Sequence, residues 1–233
     1  LEMERYHLFL ERALKGVLGL FIPFTAFLFV FGEELVTLVY ARGHFQTEAI
    51  VGTTLCLWGY VVGLVPAVVV LVLAPALYAK KNYSLPAFLS SSAVLLNIFL
   101  NTLFVYQMGW GVFSVAFATS FAAWAHLLGL VMVLRKEGLF VWPLKMGCFV
   151  RDLCIASSGA TGLVILCKRA WGTSLFLEKP FWYQLTTSGL WFLLFAVSGC
   201  LMFAFLQRKY GFWKEKVGCV DLIQEQAMGD KMI

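Results

Sequence analysis

Residues 82–134 read NYSLPAFLSSSAVLLNIFLNTLFVYQMGWGVFSVAFATSFAAWAHLLGLVMVL, 53 residues without one Asp, Glu, Lys or Arg. A helix needs about 20 apolar residues to cross the hydrocarbon core of a bilayer, so this stretch is long enough to cross twice. The break falls at Met108-Gly109-Trp110-Gly111, where two glycines and an interfacial aromatic interrupt the apolar run. The stretch therefore reads as a helical hairpin, with halves near 85–106 and 112–134, in an integral membrane protein.

The rest of the chain has the same character: 61% hydrophobic and 13% charged residues, with 22 Phe and 8 Trp among 233 residues. Hydrocarbon offers no partner to backbone N–H and C=O groups, so spans of this length must be helices. Strict apolar-polar alternation over short segments, the mark of a membrane β-barrel, is absent. The expected fold class is an all-α polytopic helical bundle. Outward from the hairpin, a first span lies near 12–31 and stops at Gly32-Glu33-Glu34. A second lies near 49–79, and its Pro66 and Pro75 predict a tilted or broken helix. A fifth lies near 149–166, closing a five-span region over 1–170. Residues 171–206 form an outer loop and the last span, from about 185, and 207–233 form a tail.

Lys and Arg accumulate in cytoplasmic loops. Fourteen of the eighteen fall on one face: those of the opening segment, Lys80 and Lys81, the cluster from Arg135 to Arg151, and the tail. Arg42, Lys168, Arg169 and Lys179 fall on the other. Both termini are therefore expected in the cytoplasm, and the net charge of +5 reports topology rather than nucleic-acid binding. The chain opens on Leu with no signal-peptide pattern, which reads as a piece of a longer protein.

Enzyme chemistry has nothing to stand on. The six cysteines form no CxxC pair, the three histidines lack HExxH spacing, and neither GxSxG nor a P-loop is present. Polar residues inside the spans are more informative. Asn97 and Asn101 stand four residues apart on one helical face, and Thr119 and Ser120 on the next span can supply oxygens to them. Amide and hydroxyl oxygens are hard ligands suited to sodium, although a full site would also want a carboxylate. Interhelical hydrogen bonding is the alternative use of the same residues. His126 reads either as a proton relay or as a neutral, hydrogen-bonded interhelical residue. Gly59 and Gly63 form a GxxxG, and Gly159 and Gly162 a looser pair, for internal helix packing. Ser90, Ser91 and Ser92 read as packing residues or as hydroxyls facing a wet cavity. Lys80 and Lys81 suit positive-inside anchoring or an anionic lipid head group such as a diphosphate.

One ordered series of residues resembles the MurJ/MviN family: Leu35 to Tyr40 followed by Ala41-Arg42-Gly43-His44-Phe45, then Tyr60 with Gly63-Leu64, then Ala74-Pro75-Ala76-Leu77-Tyr78-Ala79. Pro86, the Asn97 and Asn101 helix, and Gly111 with Ala118-Thr119-Ser120 and Trp124 continue the pattern. Leu77 stands where the family usually has Phe, and Asn82 where Asp is common. In that resemblance Arg42, Gly43, Phe45, Pro75 and Tyr78 are motif residues.

The resemblance implies the C-terminal part of a two-lobed exporter fold of the MOP superfamily, corresponding to spans nine to fourteen. It implies a flippase that moves lipid II, an undecaprenyl-diphosphate-linked peptidoglycan precursor, across the bacterial cytoplasmic (inner) membrane by alternating access, without a catalytic cofactor. Its partners would be lipid II, membrane lipids, the N-terminal lobe of the same polypeptide and other cell-envelope synthesis proteins. In the family the cavity arginines belong to that lobe and to the start of the C-terminal lobe, and none of those positions is in this sequence. Asn97, Asn101 and Thr119 are the candidates for sodium or proton coupling, and Lys80 and Lys81 for the head group. In the family the last two helices border a hydrophobic groove suited to the polyprenyl tail. Two other readings remain: an exporter of the same superfamily with a different lipid-linked oligosaccharide or drug substrate, or a non-transporting membrane scaffold.

Overall fold

The computed structural model describes residues 2–40, 47–79, 81–109, 111–140 and 144–170, together with scattered positions between 189 and 208. Five α-helices follow in order: α1 Glu2–Tyr40, α2 Thr47–Ala79, α3 Ser84–Thr102, α4 Val112–Lys136 and α5 Leu144–Ala170. A π-helical turn, Leu103–Gln107, extends α3. Four helical stretches among the described residues are long and apolar enough to cross a membrane: Arg5–Tyr40, Glu48–Ala79, Ser84–Gln107 and Phe113–Lys136. The helix α5 covers the expected fifth span. The sixth lies largely outside the described residues, although positions 189–190 and 193–197 are helical. The 207–233 tail and the Arg42-Gly43-Phe45 motif also lie outside them, apart from a helical Arg208.

The hairpin forms where the charge-free stretch predicts it. The backbone leaves the π turn through Gly109 and Gly111, both left-handed at φ 65° and 68°, a conformation that glycine adopts without Cβ strain. The π turn itself, closed by Met108 N–H donating to Leu103 C=O at 3.3 Å, has no counterpart in the apolar pattern.

Two expectations are corrected. The helix α1 does not stop at Gly32-Glu33-Glu34 but continues to Tyr40. Gly32 is buried at the crossing with α2, where a Cβ would stand 2.9 Å from Trp58 Nε1 and 3.2 Å from Leu57 Cδ2. Its missing side chain serves close helix approach rather than termination. Likewise α2 is one unbroken helix through Pro66 and Pro75. A proline removes the N–H that would bond the carbonyl four residues earlier, which for Pro66 is that of Val62. The indole Nε1 of Trp124 on α4 donates to that carbonyl at 3.1 Å. A neighbouring helix thus satisfies the freed acceptor, the condition under which proline persists inside a membrane helix.

Contacts are most extensive between α2 and α4; α1 packs on α2 and α5, while α3 lies chiefly along α4. The main core joins Leu10, Leu14 and Leu18 of α1 with Leu73 and Leu77 of α2, Leu130 and Leu134 of α4, and Met146 and Leu153 of α5. The basic ends of these helices therefore lie toward one end of the bundle. On α1, Phe27 and Phe31 pack against Phe195, with ring centroids 5.1 and 6.2 Å apart, which sets the described part of the last span against α1.

Candidate functional site

The period of an α-helix sets Asn97 and Asn101 one turn apart on the face of α3 that meets α4. Asn101 Nδ2 donates to Asn97 Oδ1 at 2.7 Å, Asn97 Nδ2 donates to Thr119 Oγ1 at 3.1 Å, and Thr119 Oγ1 donates to the Val115 carbonyl at 2.9 Å. The three residues form one directional chain across the α3–α4 seam. Its far end is open among the described residues, where buried Asn101 Oδ1 has no hydrogen-bond partner. Beside the chain lies an open cleft of about 380 Å³, lined by Ser90, Asn97, Thr119, Ala122 and His126 among others. His126 makes no hydrogen bond among the described residues, so the interhelical bond expected of it is absent there, and its ring borders the cleft. Of the serine trio, Ser90 lines the cleft and Ser92 Oγ donates to the Phe88 carbonyl at 2.8 Å.

Ser120 does not join Thr119 in facing the asparagines. Adjacent helical positions point about 100° apart, and Ser120 turns to α2, where its Oγ donates to the Gly59 carbonyl. Gly59 and Gly63 make that approach possible. A Cβ on Gly63 would stand 2.6 Å from Ser120 Cα, and one on Gly59 would stand 2.8 Å from Ala116 Cβ. The GxxxG is thus an internal packing motif, as its spacing predicts. Gly159 and Gly162 meet nothing within 4 Å among the described residues, so they are not a helix-approach pair there.

At the other end of α2, Pro75 and Tyr78 sit inside the helix and Lys80 lies outside the described residues. Lys81 is exposed and left-handed, with φ 58°. An apolar groove of about 620 Å³ runs between Gly16, Gly19, Leu20, Pro23 and Phe24 of α1 and Phe195, Ala196 and Gly199 of the last span. Among the described residues this groove borders α1, not α5.

A family model described as "Lipid II flippase MurJ" matches residues 2–183. The chain belongs to the MurJ family. A relative from Aquifex aeolicus, named "Probable lipid II flippase MurJ", is 29% identical over 169 residues, covering 72% of this chain and 32% of the relative. One from Rhizobium tropici under the same name is 25% identical over 163 residues, covering 69% and 30%. A Burkholderia cenocepacia protein named "Lipid II flippase MurJ" is 24% identical over 139 residues, covering 60% and 27%. The chain thus spans about a third of the length of the curated MurJ relatives it matches. The solved structure "Lipid II flippase MurJ, inward closed conformation" superposes with a TM-score of 0.71 at 20% identity, over 89% of this chain and 40% of that one, which establishes the fold. This MurJ-family chain is a multi-pass, all-helical membrane protein.

Sequence reasoning offered Thr119 and Ser120 as partners of Asn97 and Asn101; Thr119 meets them, and Ser120 turns to α2. The same reasoning did not pair Trp124 with Val62 or Gly32 with Trp58. Pro66 shows that a carbonyl is freed at Val62, but not which neighbour answers it.

Proposed function

We propose that the full-length protein carrying this chain is a lipid II flippase of the bacterial cytoplasmic membrane, working by alternating access, with this chain forming part of one lobe. The match of the family model over residues 2–183 carries the reading. Transport of this kind needs no bond-breaking residues. It needs a sheltered polar path for an anionic head group, an apolar surface for the polyprenyl chain, and a source of direction. The groove between α1 and the last span has the chemistry that a polyprenyl chain requires. The N-terminal lobe of the same polypeptide would supply the rest of the path, and cell-envelope synthesis proteins would deliver and consume the lipid. The distribution of Lys and Arg supports cytoplasmic termini.

Asn97, Asn101 and Thr119 are the proposed coupling site for sodium; a proton, the alternative ion, would need a titratable group, and His126 borders the same cleft. Asn97 Oδ1 and Thr119 Oγ1 accept hydrogen bonds from neighbouring amides here, while Asn101 Oδ1 has no partner among the described residues. Rotation of the two amides turns their oxygens toward a shared cation and breaks the chain across α3 and α4. A cation would thereby change the coupling between these helices, which is what a transport cycle requires of its driving ion.

The test is complementation of a strain depleted of its own MurJ, using the complete reading frame that contains this chain. Growth rescue supports the reading. Stable membrane insertion without rescue rejects lipid II flipping and points to a different lipid-linked substrate or to a non-transporting scaffold.

A further inference from the structure

We infer that the α2–α3 turn is a binding site for the phosphate head group of an anionic phospholipid, with Lys81 as its cation and Tyr78 and Tyr83 as its flanking rings. Lys81 is the only non-glycine residue with positive φ among the described residues. Its N–H donates to the Tyr78 carbonyl at 2.9 Å, and the Asn82 N–H donates to the Leu77 carbonyl at 3.2 Å. These are the paired bonds that close a helix through a left-handed residue, and glycine is the usual occupant of that position. The comparable turn after α4 uses Gly138, at φ 67°. Lysine at position 81 carries a steric cost that glycine does not, and backbone hydrogen bonding gives no reason for it.

The side chains supply one. Tyr78 and Tyr83 stack with ring centroids 5.9 Å apart and planes within 22°, although they are 45% and 62% exposed. Exposed tyrosines at the end of a membrane helix sit at head-group depth. Lys81 stands in the chain between them and makes no ion pair among the described residues. No Asp or Glu occurs between Glu48 and Glu137 to provide one locally. The α4 end that shares a core with this end of α2 adds exposed Arg135 and Lys136. An unpaired, exposed lysine in the turn that joins two stacked interfacial rings fits the phosphate of a bilayer lipid.

The inference rests on membrane insertion of the bundle and not on lipid II as substrate or on which end is cytoplasmic. The experiment uses full-length protein in vesicles of phosphatidylcholine containing a photoreactive phosphatidylglycerol, with crosslinks mapped by mass spectrometry. Crosslinking to the 78–83 peptide is expected to fall about five-fold in both Lys81→Gly and Lys81→Gln, the effect of one lysine at an anionic surface. Lys81→Arg, which keeps the cation, should leave it unchanged. Lys81→Gly relieves the left-handed backbone, so its thermal unfolding temperature should equal or exceed that of the parent, which separates lipid loss from misfolding. An unchanged crosslink in Lys81→Gly overturns the inference. So does equal crosslinking by a photoreactive phosphatidylcholine, or its abolition by soluble glycerol 3-phosphate.

Discussion

The indole N–H of Trp124 on α4 meets the carbonyl oxygen of Val62 on α2 at 3.1 Å, and that carbonyl is the one Pro66 leaves without its intrahelical donor. One helix thus completes the backbone of another. Trp124→Phe keeps the ring and removes the donor, and is expected to destabilise the full-length protein by ~1 kcal/mol. Pro66→Ala restores the intrahelical bond. In that background the cost of Trp124→Phe should shrink toward zero. Equilibrium unfolding in mild detergent of the two single variants and the double variant checks this, and additive costs would show that the bond does not serve the proline.

The α2–α4 seam tolerates no added carbon. Gly63→Ala drives a methyl to 2.6 Å from Ser120 Cα, a backbone atom that cannot swing aside. A loss of about 1–3 kcal/mol is expected, as for overpacking of a dense core. Gly159→Ala meets no described neighbour within 4 Å and should instead stabilise α5, by up to ~1 kcal/mol on helix propensity. Opposite signs for the two variants in a thermal unfolding assay are the expected result.

Thr119→Val removes the hydroxyl that accepts from Asn97 Nδ2. If the chain couples an ion to transport, this change and Asn101→Leu should each abolish the sodium dependence of lipid transport while leaving the protein inserted and folded. Transport that stays sodium-dependent in both variants would rule out the Asn97-Asn101-Thr119 site.

Topology can be read independently. In a full-length protein without native cysteines, a cysteine at exposed Met108 should react with a membrane-impermeant maleimide added to intact cells. A cysteine at Glu137, beyond the basic end of α4, should react only after the membrane is opened. The reverse pattern would invert the assigned orientation.

The membrane helices were legible because apolar runs of this length admit few other structures, and residues 85–106 and 112–134 match the observed hairpin closely. The α1 boundary was not. Gly-Glu-Glu normally marks the edge of a span, and Gly32 makes close contact with Trp58 only because α2 crosses there, a tertiary fact absent from local pattern. The same limit applies to Pro66, whose local reading is a break and whose actual context supplies a donor from 62 residues along the chain. In the polar chain, the i, i+4 spacing of Asn97 and Asn101 carried full information. The choice between Thr119 and Ser120 depended on the rotation of α4, which the run of small and apolar residues around them does not specify.

Reconstitution tests the central claim most directly. Purified full-length protein in proteoliposomes loaded with lipid II should increase the fraction of lipid II reached by an externally added, membrane-impermeant labelling reagent. A sodium gradient should set the direction of that change, and the Asn101→Leu protein should not respond to the gradient. Exposure of lipid II no faster than in protein-free vesicles, from folded protein, would contradict flipping by this protein.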